Sequence, residues 1–169
     1  LKGCEWVKSV KKIVYASSSE VYGPSPVVPT KETEPMILDV LADRDSYSSS
    51  KVSGEFMVKL WSKQNNRKYL IIRPFNTYGT RMATNGYGQV IPEFIERIQS
   101  DDKFYLFGDG NQTRSFCYVK DHTQIVTKLI EDVEDEILNI GYDEEITIND
   151  LAKTIHEIMG IDYNPSYKD

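Results

Sequence analysis

The sequence predicts an α/β fold on a mostly parallel sheet, and three observations predict it. Short β-branched or aromatic runs at 12–16, 69–72, 104–107 and 137–140 have the length of strands. Longer stretches with apolar residues three and four apart lie between them, at Val52/Phe56/Leu60/Trp61, Ile91/Phe94/Ile95/Ile98 and Val126/Leu129/Ile130/Val133. Glycine, proline and asparagine clusters separate the two kinds of segment. Strands alternating with helices are the pattern of parallel crossovers.

Each element has its own justification. Residues 1–10 read as the end of an amphipathic helix (Leu1, Cys4, Trp6, Val7, Val10), and residues 12–16 as a buried parallel strand. Residues 23–35 hold Gly23, Pro24, Pro26, Pro29 and Pro35 and read as loop. Residues 38–46 fit no single pattern. Helical spacing starts at Tyr47 and ends at Asn65-Asn66. Pro74 stops the 69–72 strand, and 75–88 is a polar, glycine-containing loop. A helix at 90–98 precedes the 104–107 strand, the turn Gly108-Asp109-Gly110-Asn111 and an extended 115–119. A helix at 123–133 and the 137–140 strand follow. Thr147 is the expected N-cap of the last helix, with Asp150 as its capping-box partner and Gly160 as its stop.

Composition narrows the function classes. Forty per cent of the residues are hydrophobic and 27% charged, an ordinary globular balance. The net charge of −6, without a block of like charges, argues against a nucleic-acid face. No run approaches the ~20 apolar residues of a membrane span, and no leader pattern opens the chain, so the expected location is cytoplasmic. Cys4 and Cys117 lack metal-ligand spacing and read as two buried free thiols; no metal site is expected.

The chemistry concentrates between Lys11 and Lys51. A strand delivers Ser17-Ser18-Ser19-Glu20-Val21-Tyr22-Gly23 at its tip, and a helix opens with Tyr47-Ser48-Ser49-Ser50-Lys51. Tyr47 and Lys51 share a helix face. A cation held near a phenol lowers its pKa by roughly 1–3 units from about 10, which makes it a usable base for a hydroxyl proton. Ser19 could orient that hydroxyl, and Glu20 could carry a second proton. With eleven Tyr and fourteen Lys, chance alone supplies roughly 0.9 such spacings. The pair therefore draws its meaning from position: it opens a helix 28 residues after the serine-tipped strand.

Four ordered motifs resemble the extended short-chain dehydrogenase/reductase family, the NAD-dependent nucleotide-sugar epimerases and dehydratases. They are the 17–23 strand tip, Tyr47-x-x-x-Lys51, Arg73-Pro74-Phe75-Asn76-Thr77-Tyr78-Gly79, and the run from Phe107 to Asp121. The resemblance implies a Rossmann-like doubly wound sheet with a small mixed substrate-binding subdomain. Residues 1–75 would be the second half of the dinucleotide-binding domain. Residues 76–169 would mainly bind the nucleotide sugar, with 115–140 returning a helix and strand to the sheet.

The roles implied are these. Tyr47 is the base and Lys51 holds the nicotinamide ribose. Ser19 binds the sugar 4-hydroxyl that is transiently oxidised by hydride transfer to NAD. Ser17, Pro74 and Phe75 join Tyr47 and Lys51 around the cofactor. Asn76, Arg81 and Arg114 bind substrate phosphates. For Arg114 the plain alternative is an ion pair with Asp109 or Asp121. Glu20 resembles the residue that dehydratases and UDP-glucuronate decarboxylases use after oxidation, with Ser19-Glu20 closer to the decarboxylase pattern; turn capping is its alternative. A simple 4-epimerase is a second reading, and a truncated, non-catalytic binding or interaction module a third. His122 reads as a cap-region residue and His156 as a solvated one. Trp6 and Trp61 lie on the apolar faces of two helices and read either as core or, because the resemblance implies that these helices build a homodimer, as interface. The family's Gly-x-x-Gly-x-x-Gly cofactor turn is missing, so the chain reads as the middle and later part of an enzyme that binds NAD in full-length form.

Overall fold

The hydrophobic runs assemble around one central strand. A computed structural model describes residues 1–25, 27–83, 89–100 and 103–168. In chain order, α1 is Lys2–Trp6 and β1 is Lys12–Ala16, followed by a 3-10 turn at Ser19–Tyr22. Next come α2 (Asp45–Asn65), β2 (Lys68–Pro74), β3 (Thr77–Tyr78), α3 (Val90–Gln99), β4 (Tyr105–Phe107), β5 (Thr113–Arg114) and β6 (Cys117–Tyr118). Then α4 (Val119–Asp132), β7 (Glu136–Ile140), β8 (Ile146–Thr147), α5 (Ile148–Met159) and β9 (Ser166–Lys168) complete the order.

The fold is α/β. Strands β1, β2 and β7 form a parallel sheet with β2 central, Val14 opposite Leu70 and Ile72 opposite Leu138. Successive side chains of a strand point to opposite faces. On one face Leu70, Ile72 and Ile140 pack against Val126 and Leu129 of α4. On the other, Arg73 reaches Glu55 of α2. The sheet is thus covered by one helix on each face, which is why Leu70–Arg73 is buried throughout. A second core holds Phe94, Ile98, Phe104, Leu106, Ile148, Leu151 and Ile155, joining α3, α5 and β4. Strand β4 pairs with β9 and β3 with β6, both parallel, while β5 and β8 are antiparallel.

Several expectations change. Helix α1 stops at Trp6, because Val7 is extended. Strand β1 is an edge strand among the described residues, so Val14 and Ala16 are exposed rather than buried. The ambiguous 38–46 stretch is irregular and turn-rich up to Arg44 and helical from Asp45, stapled by Asp39, whose carboxylate accepts from Leu41 N–H and whose own N–H donates to the Asp45 carboxylate. Helix α4 starts at Val119, splitting the expected extended 115–119 run. Pro26 and residues 84–88, both expected in loops, lie outside the described residues. Thr147 does cap α5, accepting from Asp150 N–H at 3.0 Å, and Gly160 ends it at φ 68°.

Four side chains depart from their assignments. His156 is buried to 3% exposure rather than solvated: its ring is edge-on between Phe104 and Tyr163, and Nδ1 meets the Ala152 carbonyl. Phe56 and Leu60 are exposed although they share a helical spacing with buried Trp61. Cys117 is buried, but Cys4 is only half-buried.

Candidate active site

The site sits at the carboxyl ends of β1 and β2, the place where parallel α/β sheets bind ligands. Helix α2 runs back along the sheet, so its first turn returns to the tip of β1. Lys51 Nζ confirms the placement by donating to the Ala16 carbonyl at 2.9 Å. The same ammonium lies 5.6 Å from the ring centres of both Tyr47 and Tyr15. Tyr47 is half exposed. Tyr15 faces α2 from below. Burial, with the charges of Glu55 and Tyr47, raises its hydroxyl pKa and keeps it neutral. Gly54 is required where α2 crosses this ring: a Cβ there would lie 2.0 Å from the Tyr15 hydroxyl.

The serines leaving β1 divide the work. Ser17 continues the sheet by donating its N–H to Ile72, and its buried Oγ has no partner. Ser18 caps the 3-10 turn by accepting from Glu20 N–H. Ser19 starts that turn and is half-buried. Glu20 does not cap a turn; its carboxylate pairs with Arg44 at 3.0 Å. Both groups are substantially exposed, so this pair contributes little to stability, and Arg44 immediately precedes α2.

The strand end after Arg73 brings the other expected residues in. Pro74 ends β2, and Phe75 donates its N–H to Ile140, with its side chain against Gly141. Asn76 turns the chain at φ 30° and donates from Nδ2 to the Ser115 carbonyl at 2.9 Å, which places it beside Arg114. Arg114 is exposed on β5 and donates to the Thr113 carbonyl. It pairs with neither Asp109 nor Asp121 among the described residues; Asp109 is engaged by Asn111, whose hydrogen bonds lower its pKa. Arg81, at φ 68°, is exposed, and no described contact joins it to Asn76 or Arg114. His122 lies in the first turn of α4 with Nδ1 at 2.9 Å from the Thr77 hydroxyl; burial lowers its pKa.

Behind these residues lies a network that the sequence reading named only as parts of motifs. Arg73 grips Glu55 with two parallel hydrogen bonds of 2.9 and 2.7 Å and donates to the Tyr22 hydroxyl at 2.6 Å. Arg73 is 2% exposed and Glu55 3%. Burial alone would loosen the Arg73 proton, but the bonds to Glu55 and Tyr22 outweigh it and raise its pKa. The available signal was an arginine inside an apolar strand run and a glutamate one helical turn beyond Lys51.

A parallel sheet that gathers candidate ligand-binding residues at the carboxyl ends of its strands is the arrangement of doubly wound α/β proteins. The chain belongs to the NAD dependent epimerase/dehydratase family, whose model matches residues 4–141. It is 35% identical over 154 residues to a UDP-N-acetyl-alpha-D-glucosaminuronate decarboxylase of Bacillus cytotoxicus, covering 90% of this chain and 47% of the relative. It is 36% identical over 151 residues to a putative UDP-glucose 4-epimerase of Methanocaldococcus jannaschii, covering 88% and 48%. Among solved structures, UDP-glucuronic acid 4-epimerase from Bacillus cereus in complex with NAD superposes with a TM-score of 0.85 at 26% identity, over 99% of this chain and 52% of that one. The chain thus spans about half the length of the curated relatives it matches.

Proposed function

We propose that this chain carries the catalytic strand, helix and substrate loop of an NAD-dependent nucleotide-sugar enzyme, and that residues 1–75 belong to its dinucleotide-binding domain while residues 76–169 mainly bind substrate. The observation that carries the reading is the Lys51 ammonium held at the β1 tip beside a half-exposed Tyr47. The residues present fit one end of the cofactor. Ser17 Oγ is a buried polar atom with no partner, and Lys51 on α2 donates to the carbonyl of the preceding residue, Ala16. Ser17, Tyr47, Lys51, Pro74 and Phe75 would hold the nicotinamide end; the sequence contains no glycine-rich turn for the pyrophosphate. NAD, when bound, supplies a hydride acceptor.

The chain's own residues do the rest. Ser19 hydrogen-bonds the sugar 4-hydroxyl and Tyr47 takes its proton, with the Lys51 ammonium held beside the Tyr47 ring. Asn76, Arg81 and Arg114 bind the diphosphate, for which a guanidinium fork is suited. Glu20, freed from Arg44, serves the step after oxidation, loss of CO2 or of water. Relatives named as decarboxylases support that choice. A 4-epimerase without such a step is the second reading, favoured by structural neighbours named as 4-epimerases. We also place a homodimer contact on the face of α1 and α2 that exposes Trp6, Phe56, Met57 and Leu60, in a cytoplasmic protein.

The test incubates the intact protein containing this chain with a panel of nucleotide sugars and weighs the products. Loss of CO2, loss of water, and unchanged mass with inverted configuration separate decarboxylase, dehydratase and epimerase. A Tyr47→Phe variant is expected to lose roughly 10²–10⁴-fold in kcat; wild-type turnover in that variant would end the reading.

A further inference from the structure

Three separate elements carry the proposed site: the 3-10 turn with Ser19 and Glu20, the first turns of α2 with Tyr47 and Lys51, and the end of β2 with Pro74 and Phe75. One buried guanidinium touches all three. We propose that Arg73, acting through Glu55 and Tyr22, is the positioning residue that sets the placement of the Tyr47–Lys51 pair relative to Ser19 and Glu20. This rests on the reading of the site given above.

The geometry is specific. Tyr47, Lys51 and Glu55 follow at intervals of four on α2, so they share one face. Fixing Glu55 therefore fixes the rotation and axial position of the face that presents Tyr47 and Lys51. Arg73 makes that attachment with Nε and Nη2, one to each Glu55 oxygen, an arrangement that sets direction as well as distance. Its third nitrogen, Nη1, donates to the Tyr22 hydroxyl and to the Glu32 carbonyl. Tyr22 stands three residues after Ser19, one turn of the 3-10 helix, so the two eclipse each other along its axis. Arg73 itself is followed directly by Pro74 and Phe75.

The second layer closes the frame. The Tyr22 hydroxyl donates to Asn139 Oδ1 on β7 at 2.7 Å. Asn139 in turn donates its Nδ2 to the Thr30 carbonyl and its N–H to the Glu32 carboxylate. The proline-rich segment between the 3-10 turn and α2 is thereby pinned at Thr30 and Glu32 to the same cluster. A well-packed apolar core stabilises at least as well as a buried ion pair. The distinctive contribution of this one is direction: it couples three elements whose reacting groups must meet.

The test uses the intact protein as wild type, Tyr22→Phe, Glu55→Gln and Arg73→Lys. Tyr22→Phe keeps the ring packing and removes one hydroxyl, so it folds; Arg73→Lys keeps the charge and loses the fork. Two readouts are taken: amide hydrogen exchange over residues 18–23 and 45–52, and kcat and KM per folded, NAD-loaded site. Exchange in both segments is expected to accelerate about fivefold or more in Tyr22→Phe, with the β2 and β7 core amides unchanged. With displacements approaching 1 Å, kcat is expected to fall about 10- to 100-fold while KM moves less than about threefold, and Arg73→Lys does not rescue it. Unchanged exchange in the two segments, or an activity loss that only follows the unfolded fraction with wild-type kcat per folded site, would overturn the proposal. A wild-type protein that turns over no nucleotide sugar would remove the functional reading instead, and the exchange result alone would then decide the clamp.

Discussion

Tyr47 and Lys51 are a common spacing, fixed at the end of β1 by one hydrogen bond from Lys51. A lysine on a free helix would sweep through its rotamers; here the ammonium is held to one carbonyl beside the phenol ring. Glu20 is placed differently, in an exposed pair with Arg44 that contributes little to stability. His122 makes a pH prediction. Burial depresses its folded pKa below the usual 6.5, so the unfolded chain binds the proton first as pH falls. Stability should therefore be unaffected by this group above pH about 6.5 and decline below it, down to the folded pKa. Comparing thermal unfolding at pH 7.5 and 5 in wild type and His122→Gln should show the acid loss shrinking in the variant. An equal loss in both would remove His122 from the account.

Helix α2 is placed on the sheet by what it lacks as much as by what it carries. Gly54 sits where the Tyr15 ring crosses, and any Cβ would overlap the hydroxyl. Although alanine is the better helix former, Gly54→Ala is expected to destabilise by about 1–3 kcal/mol through overpacking. It should also reduce activity, because lifting α2 moves Tyr47 and Lys51 with it. Chemical denaturation and turnover on the same preparation check this; a Gly54→Ala protein more stable than wild type would contradict it. Helix α5 shows the opposite case, where the termini were readable from local chemistry alone. Thr147 accepts from Asp150 N–H while its hydroxyl donates to the Asp150 carboxylate, and Gly160 takes the left-handed turn.

In the assembled chain, two cores and one polar clamp divide the structural load. The clamp holds the sheet to α2, and truncating one partner of such a buried pair costs about 3–5 kcal/mol. Both α1 and α2 leave apolar side chains exposed, Trp6 at 87% on α1 and Phe56, Met57 and Leu60 on α2, while Trp61 is turned inward and donates to Glu5 of α1. If these exposed side chains join two protomers, Phe56→Asp with Leu60→Glu should shift sedimentation from dimer to monomer with little loss of helicity. A dimer unchanged in mass would place the interface elsewhere. The described helices include none long and apolar enough to cross a membrane.

Sequence alone determined what is local. Alternating strand and helix patterns, the Thr147 cap, the Asn66 and Gly160 stops and the four motifs all depend on residues within one or two turns of each other, and propensity, periodicity and capping act at that range. Only the tertiary structure decided what depends on partners far along the chain. Arg73 finds Glu55 eighteen residues away and Tyr22 fifty-one away. His156 is buried because Phe104 and Tyr163 close over it, and Phe56 stays exposed although its spacing matches a core helix. Periodicity reports which face of an element is apolar; it carries no information on which face another element covers, since that is settled by packing between segments distant in sequence.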